Sequence, residues 1–143
     1  MINLAIFISG RGSNAQNIIK YFQSHSKIQV KLVASSNTKS SLVNVIEPPI
    51  NSQVYKKKDF LDGENILMEL KKNKISFIIL AGFLLKVPAI IINSFNNRIL
   101  NIHPSLLPEF GGKGMYGMNV HYAVFHSKKK ETGITIHEVN KEY

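Results

Sequence analysis

Apolar residues in this chain fall into short runs that alternate with stretches of helical spacing. Residues 2–8 form an apolar run ending at Ser9-Gly10-Arg11-Gly12-Ser13-Asn14, after which Ala15, Ile18, Ile19 and Phe22 recur at helical intervals. The expected local structure is strand, glycine turn and helix, with Ser13 or Asn14 as the cap. Residues 27–35 predict a second strand, with Val30, Leu32 and Ala34 on one face and Lys31 interrupting the other. A short helix over 41–46 is expected to stop before Pro48-Pro49, and residues 53–55 predict a small strand. Residues 59–72 predict one helix, with Asp59 as its cap and Phe60, Ile66, Leu67 and Leu70 as its apolar stripe.

Residues 75–81 are apolar on both faces, as expected of a central parallel strand covered on both sides. Gly82 breaks that strand, and Pro88 is expected at the first position of a helix carrying Ile90, Ile91 and Phe95. Residues 98–102 predict the next strand. A glycine-dense loop over 109–117 then leads to a short helix capped by Asn119 and carrying Val120, Val124 and Phe125. Residues 133–139 alternate as a strand, Ile134 and Ile136 on one face, Thr135, His137 and Val139 on the other. Strands alternating with helices predict an α/β fold, doubly wound around a mostly parallel sheet. Without an internal repeat or long linker, residues 1–143 are expected to form one domain.

Composition narrows the class. A chain of 143 residues, 44% hydrophobic and 19% charged, is suited to a single buried core. No apolar run reaches the length of a membrane span, and the opening residues lack a basic segment, so a cytoplasmic protein with no membrane partner is expected. The absence of cysteine excludes disulfides, thiolate metal sites and cysteine nucleophiles. The net charge of +9 would suit a polyanion. However, the lysines sit in short runs such as Lys56-Lys57-Lys58 and Lys128-Lys129-Lys130 without interleaved aromatics, so a solvated surface is expected rather than a nucleic-acid groove. Such a surface would still draw in anionic substrates.

Chemistry is available at one strand end. Asn101, His103 and Ser105 fall where the chain leaves the sheet, with His121 and His137 as possible neighbours. Asp59 and Asp62 are the only aspartates and no metal-ligand spacing occurs, which argues against paired-carboxylate or metal chemistry. A histidine moves protons near neutrality, and an asparagine amide donates to an oxygen gaining charge. Together they suit acyl-type transfer by direct attack of a substrate amine. On spacing alone, structural readings stand beside these. His103 before a proline is also a hydrogen-bonded turn residue, Asn101 a buried amide, Ser105 the start of a helical turn, and the glycine turn a plain connector. His121 and His137 read as structural, and His25 and His126 as surface residues.

The stretch Asn101-Ile102-His103-Pro104-Ser105-Leu106-Leu107-Pro108 resembles the folate-dependent formyltransferases, which share Asn-x-His-Pro followed by Ser-Leu-Leu-Pro. Ile8-Ser9-Gly10-Arg11-Gly12-Ser13-Asn14, Leu80-Ala81-Gly82-Phe83 and Gly133-Ile134-Thr135-Ile136-His137 extend the resemblance, in order, over almost the whole chain. It narrows to the members that act on glycinamide ribonucleotide. The resemblance implies a Rossmann-like variant that moves a formyl group from 10-formyltetrahydrofolate, as co-substrate, to that ribonucleotide's amine without a metal, as a monomer or weak homodimer. It further implies that Gly12, Ser13 and Asn14 hold the substrate phosphate, and that Leu84, Leu85, Lys86 and Val87 line the folate pocket, largely through backbone groups, with Asn101 also binding folate. Asn101 would donate to the oxyanion and His103 would act as general acid and proton shuttle.

Departures from the family pattern also matter. Relatives pair the catalytic histidine with an aspartate expected just past Tyr143, and neither Glu138 nor Glu142 has the spacing to replace it. The family's final strand and helix, with any phosphate-binding lysine, are likewise not represented, and the segment around Asp62-Gly63-Glu64 offers no arginine for the folate tail. The expectation is a domain incomplete at its C-terminal end, with little activity by itself. Methionyl-tRNA formyltransferase and formyltetrahydrofolate deformylase share the Asn-x-His segment but carry further domains. A chain retaining only nucleotide or phosphate binding is the remaining alternative.

Overall fold

A strand without charged side chains is most stable where both of its faces are covered, and the opening strand takes that place. In the computed structural model, which describes residues 1–141, β1 (Ile2–Ile8) lies inside a six-stranded sheet. The elements that follow are α1 (Ser13–Phe22), β2 (Ile28–Ser35), α2 (Ser41–Val45), β3 (Asn51–Val54), α3 (Asp59–Asp62), α4 (Glu64–Lys72), β4 (Phe77–Ala81), α5 (Ala89–Ser94), β5 (Ile99–His103), α6 (Met118–His126) and β6 (Thr135–Glu138). The strand order is β3-β2-β1-β4-β5-β6, parallel throughout except that β6 runs antiparallel to β5. The winding reverses between β1 and β4, and in open α/β sheets ligands bind at the carboxyl ends of the strands beside such a reversal.

Helices cover both faces, so the sheet is doubly wound, as expected. On one face Ala15, Ile18, Ile19 and Phe22 of α1 and Leu42 of α2 pack on Leu4, Ile6 and Ile8. On the other, Phe60, Ile66, Leu67, Leu70, Ile91 and Ile92 pack on Ala5, Phe7, Ile78, Leu80 and Ile99. Phe83 joins that second layer, its ring 5.5 Å from Phe7 and 5.1 Å from Phe60. Tyr55 is 4% exposed in the same layer. Burial first, and then the nearby Glu69 and Asp59 carboxylates, push its phenol up to about 12. No helix among the described residues is long and apolar enough to cross a membrane.

Several local expectations are corrected. In β2, Leu4 pairs with Val30 but Ala5 with Leu32, so Lys31 is skipped in a bulge. The extra residue reverses the facing: Val30 joins Leu4 and Ile6, whereas Leu32 and Ala34 join Ala5 and Phe7. A lysine in regular register would have put an unpaired ammonium into a core layer. Residues 59–72 form two helices, not one, divided at Gly63, which has φ +79°. A Cβ at Gly63 would lie 2.6 Å from Pro88 Cβ, so the break lets the chain pass close to the entry of α5. Asp59 does not cap a helix; its Oδ2 accepts from Lys56 N at 2.7 Å and closes the preceding turn. The buried stripe of Phe60, Ile66, Leu67 and Leu70 is as expected.

Further corrections concern helix starts. Gly117 rather than Asn119 holds the cap position of α6, and Asn119 Nδ2 donates back to Gly114 O at 3.1 Å. Val120 is buried, but Phe125 is 80% exposed. Pro88 stands one place before α5, at its cap. In β6 the predicted alternation is present with its apolar side turned outward, Ile134 and Ile136 each being 62% exposed. Glu142 and Tyr143 lie outside the described residues.

Candidate active site

One row of side chains explains how the strand-end residues are brought together. Phe7 pairs with Leu80, Leu80 with Asn101, and Asn101 with His137. Paired residues share a face, so Asn101 and His137 continue the layer of Phe7 and Leu80, and His103, two residues on, shares that face. The row is apolar at the centre of the sheet and polar towards its edge. Asn101 and His103 are both half-buried.

Hydrogen bonding sets the state of each group. Asn101 Nδ2 lies 3.0 Å from His137 Nε2, and an amide nitrogen can only donate, so Nε2 accepts. His137 Nδ1 lies 3.0 Å from Glu138 O, which can only accept, so the hydrogen sits on Nδ1. His103 Nε2 lies 2.9 Å from Phe110 O and therefore carries its hydrogen, leaving Nδ1 with the lone pair of the neutral ring. No described carboxylate bonds to His103. The loop that supplies Phe110 O is itself held. Ser105 Oγ donates to Glu109 O at 3.0 Å, and Thr135 Oγ1 donates to Ser105 O at 2.7 Å while accepting from Leu107 N at 3.0 Å. Ser105 is fully buried and belongs to this scaffold.

The glycine loop lies at the carboxyl end of β1, one strand away from β5's neighbour β4. Gly12 takes the cap position of α1 with φ +82°, correcting the expectation that Ser13 or Asn14 caps the helix. A Cβ there would lie 2.5 Å from Leu42 Cδ2, so only glycine fits. Ser13 and Asn14 are exposed at the first turn of α1, which holds no acidic residue. Backbone N–H groups at such an end favour an anion. Residues 82–87 leave the end of β4. Leu84 and Lys86 are exposed, Leu85 is half-buried, and Val87 is 4% exposed, which leaves Val87 only backbone groups to offer.

The remaining histidines stand apart. His25 Nδ1 accepts from Lys27 N and Ile28 N, and His126 Nδ1 donates to Tyr122 O, as surface residues do. His121 lines an open groove of about 500 Å³ with Phe125 and Lys128, away from β5. A second cleft of about 340 Å³ is lined by Gln53, Tyr55, Asp59 and Glu69. Neither contains Asn101 or His103. Among the described residues no group of three or more histidine, aspartate or glutamate side chains is placed to hold a metal ion. His137, expected to be structural, bonds to Asn101, and the register that pairs them is a long-range property that local spacing does not carry.

Comparison with known proteins agrees with this architecture. The family described as formyl transferase matches residues 2–143. The chain is 38% identical to phosphoribosylglycinamide formyltransferase, chloroplastic, of Arabidopsis thaliana, with 98% of this chain and 50% of that protein covered. It is 31% identical to phosphoribosylglycinamide formyltransferase of Haemophilus influenzae, with 99% and 68% covered. The crystal structure of phosphoribosylglycinamide formyltransferase from Anaplasma phagocytophilum superposes with a TM-score of 0.85 at 31% identity, covering 98% of this chain and 65% of that one. The chain spans about half the length of the plant relatives it matches, 50% and 47%. With the family match running from one end to the other, the chain belongs to the formyl transferase family.

Proposed function

We propose that this chain carries the formyl-transfer site of a phosphoribosylglycinamide formyltransferase, a cytoplasmic enzyme that moves a formyl group from 10-formyltetrahydrofolate to the amine of glycinamide ribonucleotide. Residues 1–143 would act as a single formyltransferase-like domain. The observation that carries the reading is the shared face of Asn101 and His103 at the end of β5, next to β4 and the point where the winding reverses. Backbone groups at Gly12, Ser13 and Asn14 receive the ribonucleotide phosphate. Exposed Leu84 and Lys86, with the backbone of Leu85 and Val87, take the pterin, a flat ring whose edge of donors and acceptors suits backbone N–H and C=O groups.

As the amine adds to the formyl carbon and the new C–N bond forms, Asn101 donates its second amide hydrogen to the carbonyl oxygen that becomes the oxyanion. His103 takes a proton from the added nitrogen at Nδ1 and returns it to the departing folate nitrogen as that C–N bond breaks. The products are the formylated ribonucleotide and tetrahydrofolate. In an assay following both products, run on a chain extended to carry the family's C-terminal aspartate, Asn101→Ala and His103→Ala are each expected to lower kcat on the order of a hundredfold or more. Full turnover in both variants would overturn the assignment.

A further inference from the structure

Resting on the formyl-transfer reading, we infer that Ser9 is a positioning residue that fixes the folate-side loop to the end of β1. Ser9 is the first residue past β1 and starts the glycine loop. It meets the chain leaving β4 twice: its backbone N donates to Gly82 O at 3.1 Å, and its Oγ accepts from Leu84 N at 2.9 Å. The same hydroxyl lies 2.7 Å from Ser36 Oγ at the end of β2, where Ser36 N donates to Ile8 O at 3.0 Å. Three strand ends are therefore tied through one hydroxyl at the point where the winding reverses, between β1 and β4.

The position of this tie determines its effect. Phe83 is anchored by the rings of Phe7 and Phe60, and Val87 by burial. Between those anchors, Leu84 and Lys86 are exposed, and it is the Leu84 amide that the Ser9 hydroxyl holds. Gly82 has φ +68°, so the loop turns sharply just before the tie. The Ser9 hydroxyl therefore sets the orientation of the Leu84 peptide, and with it the backbone groups the loop presents to folate. The ribonucleotide side is separate from that hydroxyl, because Gly12 is held at the cap of α1, its carbonyl accepting from Gln16 N at 2.8 Å. Removing the Ser9 hydroxyl leaves its backbone bond to Gly82 in place, and water can reach the exposed Leu84 amide, so the fold persists.

The test compares wild type, Ser9→Ala and Ser9→Thr by calorimetric titration with 5-formyltetrahydrofolate and with glycinamide ribonucleotide, and by hydrogen exchange at the Leu84 amide. Ser9→Ala is expected to bind the folate about three- to tenfold more weakly and to exchange the Leu84 amide faster by a similar factor, the scale of one net hydrogen bond. Ribonucleotide affinity stays unchanged, and Ser9→Thr, which keeps an Oγ, restores both readouts. Wild-type protein that binds both ligands while Ser9→Ala keeps full folate affinity overturns this inference alone. Wild-type protein that binds neither overturns the formyl-transfer reading and this inference with it.

Discussion

Asn101 has two amide hydrogens, and His137 engages one of them at 3.0 Å. That bond fixes which end of the amide faces the sheet edge, since a flipped amide would set its oxygen against the Nε2 lone pair. His137 in turn is held in the required tautomer by Glu138 O. Replacing His137 with alanine should therefore lower kcat by about tenfold while leaving KM for both substrates near wild type, because the donor loses its alignment but the binding loops do not. Steady-state kinetics decide it: raised KM values with an unchanged kcat would assign His137 to binding instead. The Asn-x-His spacing was legible in the sequence because residues i and i+2 on a strand share a face. The partner across the sheet was not, since the pairing of Asn101 with His137 depends on how β6 docks, 36 residues further along the chain.

Elements were legible where a single period ran through them. Residues 77–81, apolar on both faces, became the strand between β1 and β5, and the stripe of Phe60, Ile66, Leu67 and Leu70 is buried. Period failed where one residue interrupted it. Lys31 keeps its side chain out of the core by bulging, and Gly63 splits a stripe that reads continuously into α3 and α4. In both places tertiary packing overrides local pattern. Gly63 combines φ +79° with a Cβ position 2.6 Å from Pro88. Gly63→Ala should destabilise the fold by roughly 1–3 kcal/mol through backbone strain and overpacking. A denaturant midpoint equal to wild type would show that α4 and α5 can separate without cost.

Across the molecule, the two chemistries of the site come from opposite layers. α1 and the glycine loop pack with Leu42 on one face, while Asn101, His103 and the anchored Phe83 belong to the other. They meet only at the carboxyl rim, where a substrate that carries a phosphate at one end and an amine at the other would span the sheet edge. The net charge of +9 raises the local concentration of such an anion without specifying where it binds. Two other concavities, lined by Gln53 to Glu69 and by His121 to Thr132, compete as landing places. The most direct test is an NMR titration of the isotopically labelled protein with glycinamide ribonucleotide and 5-formyltetrahydrofolate together. The predicted result is joint, saturable shifts of the Asn101 side-chain amide, the Ser13 amide and the Leu84 amide. Shifts confined to either of the other two concavities, with Asn101 unmoved, would contradict the account.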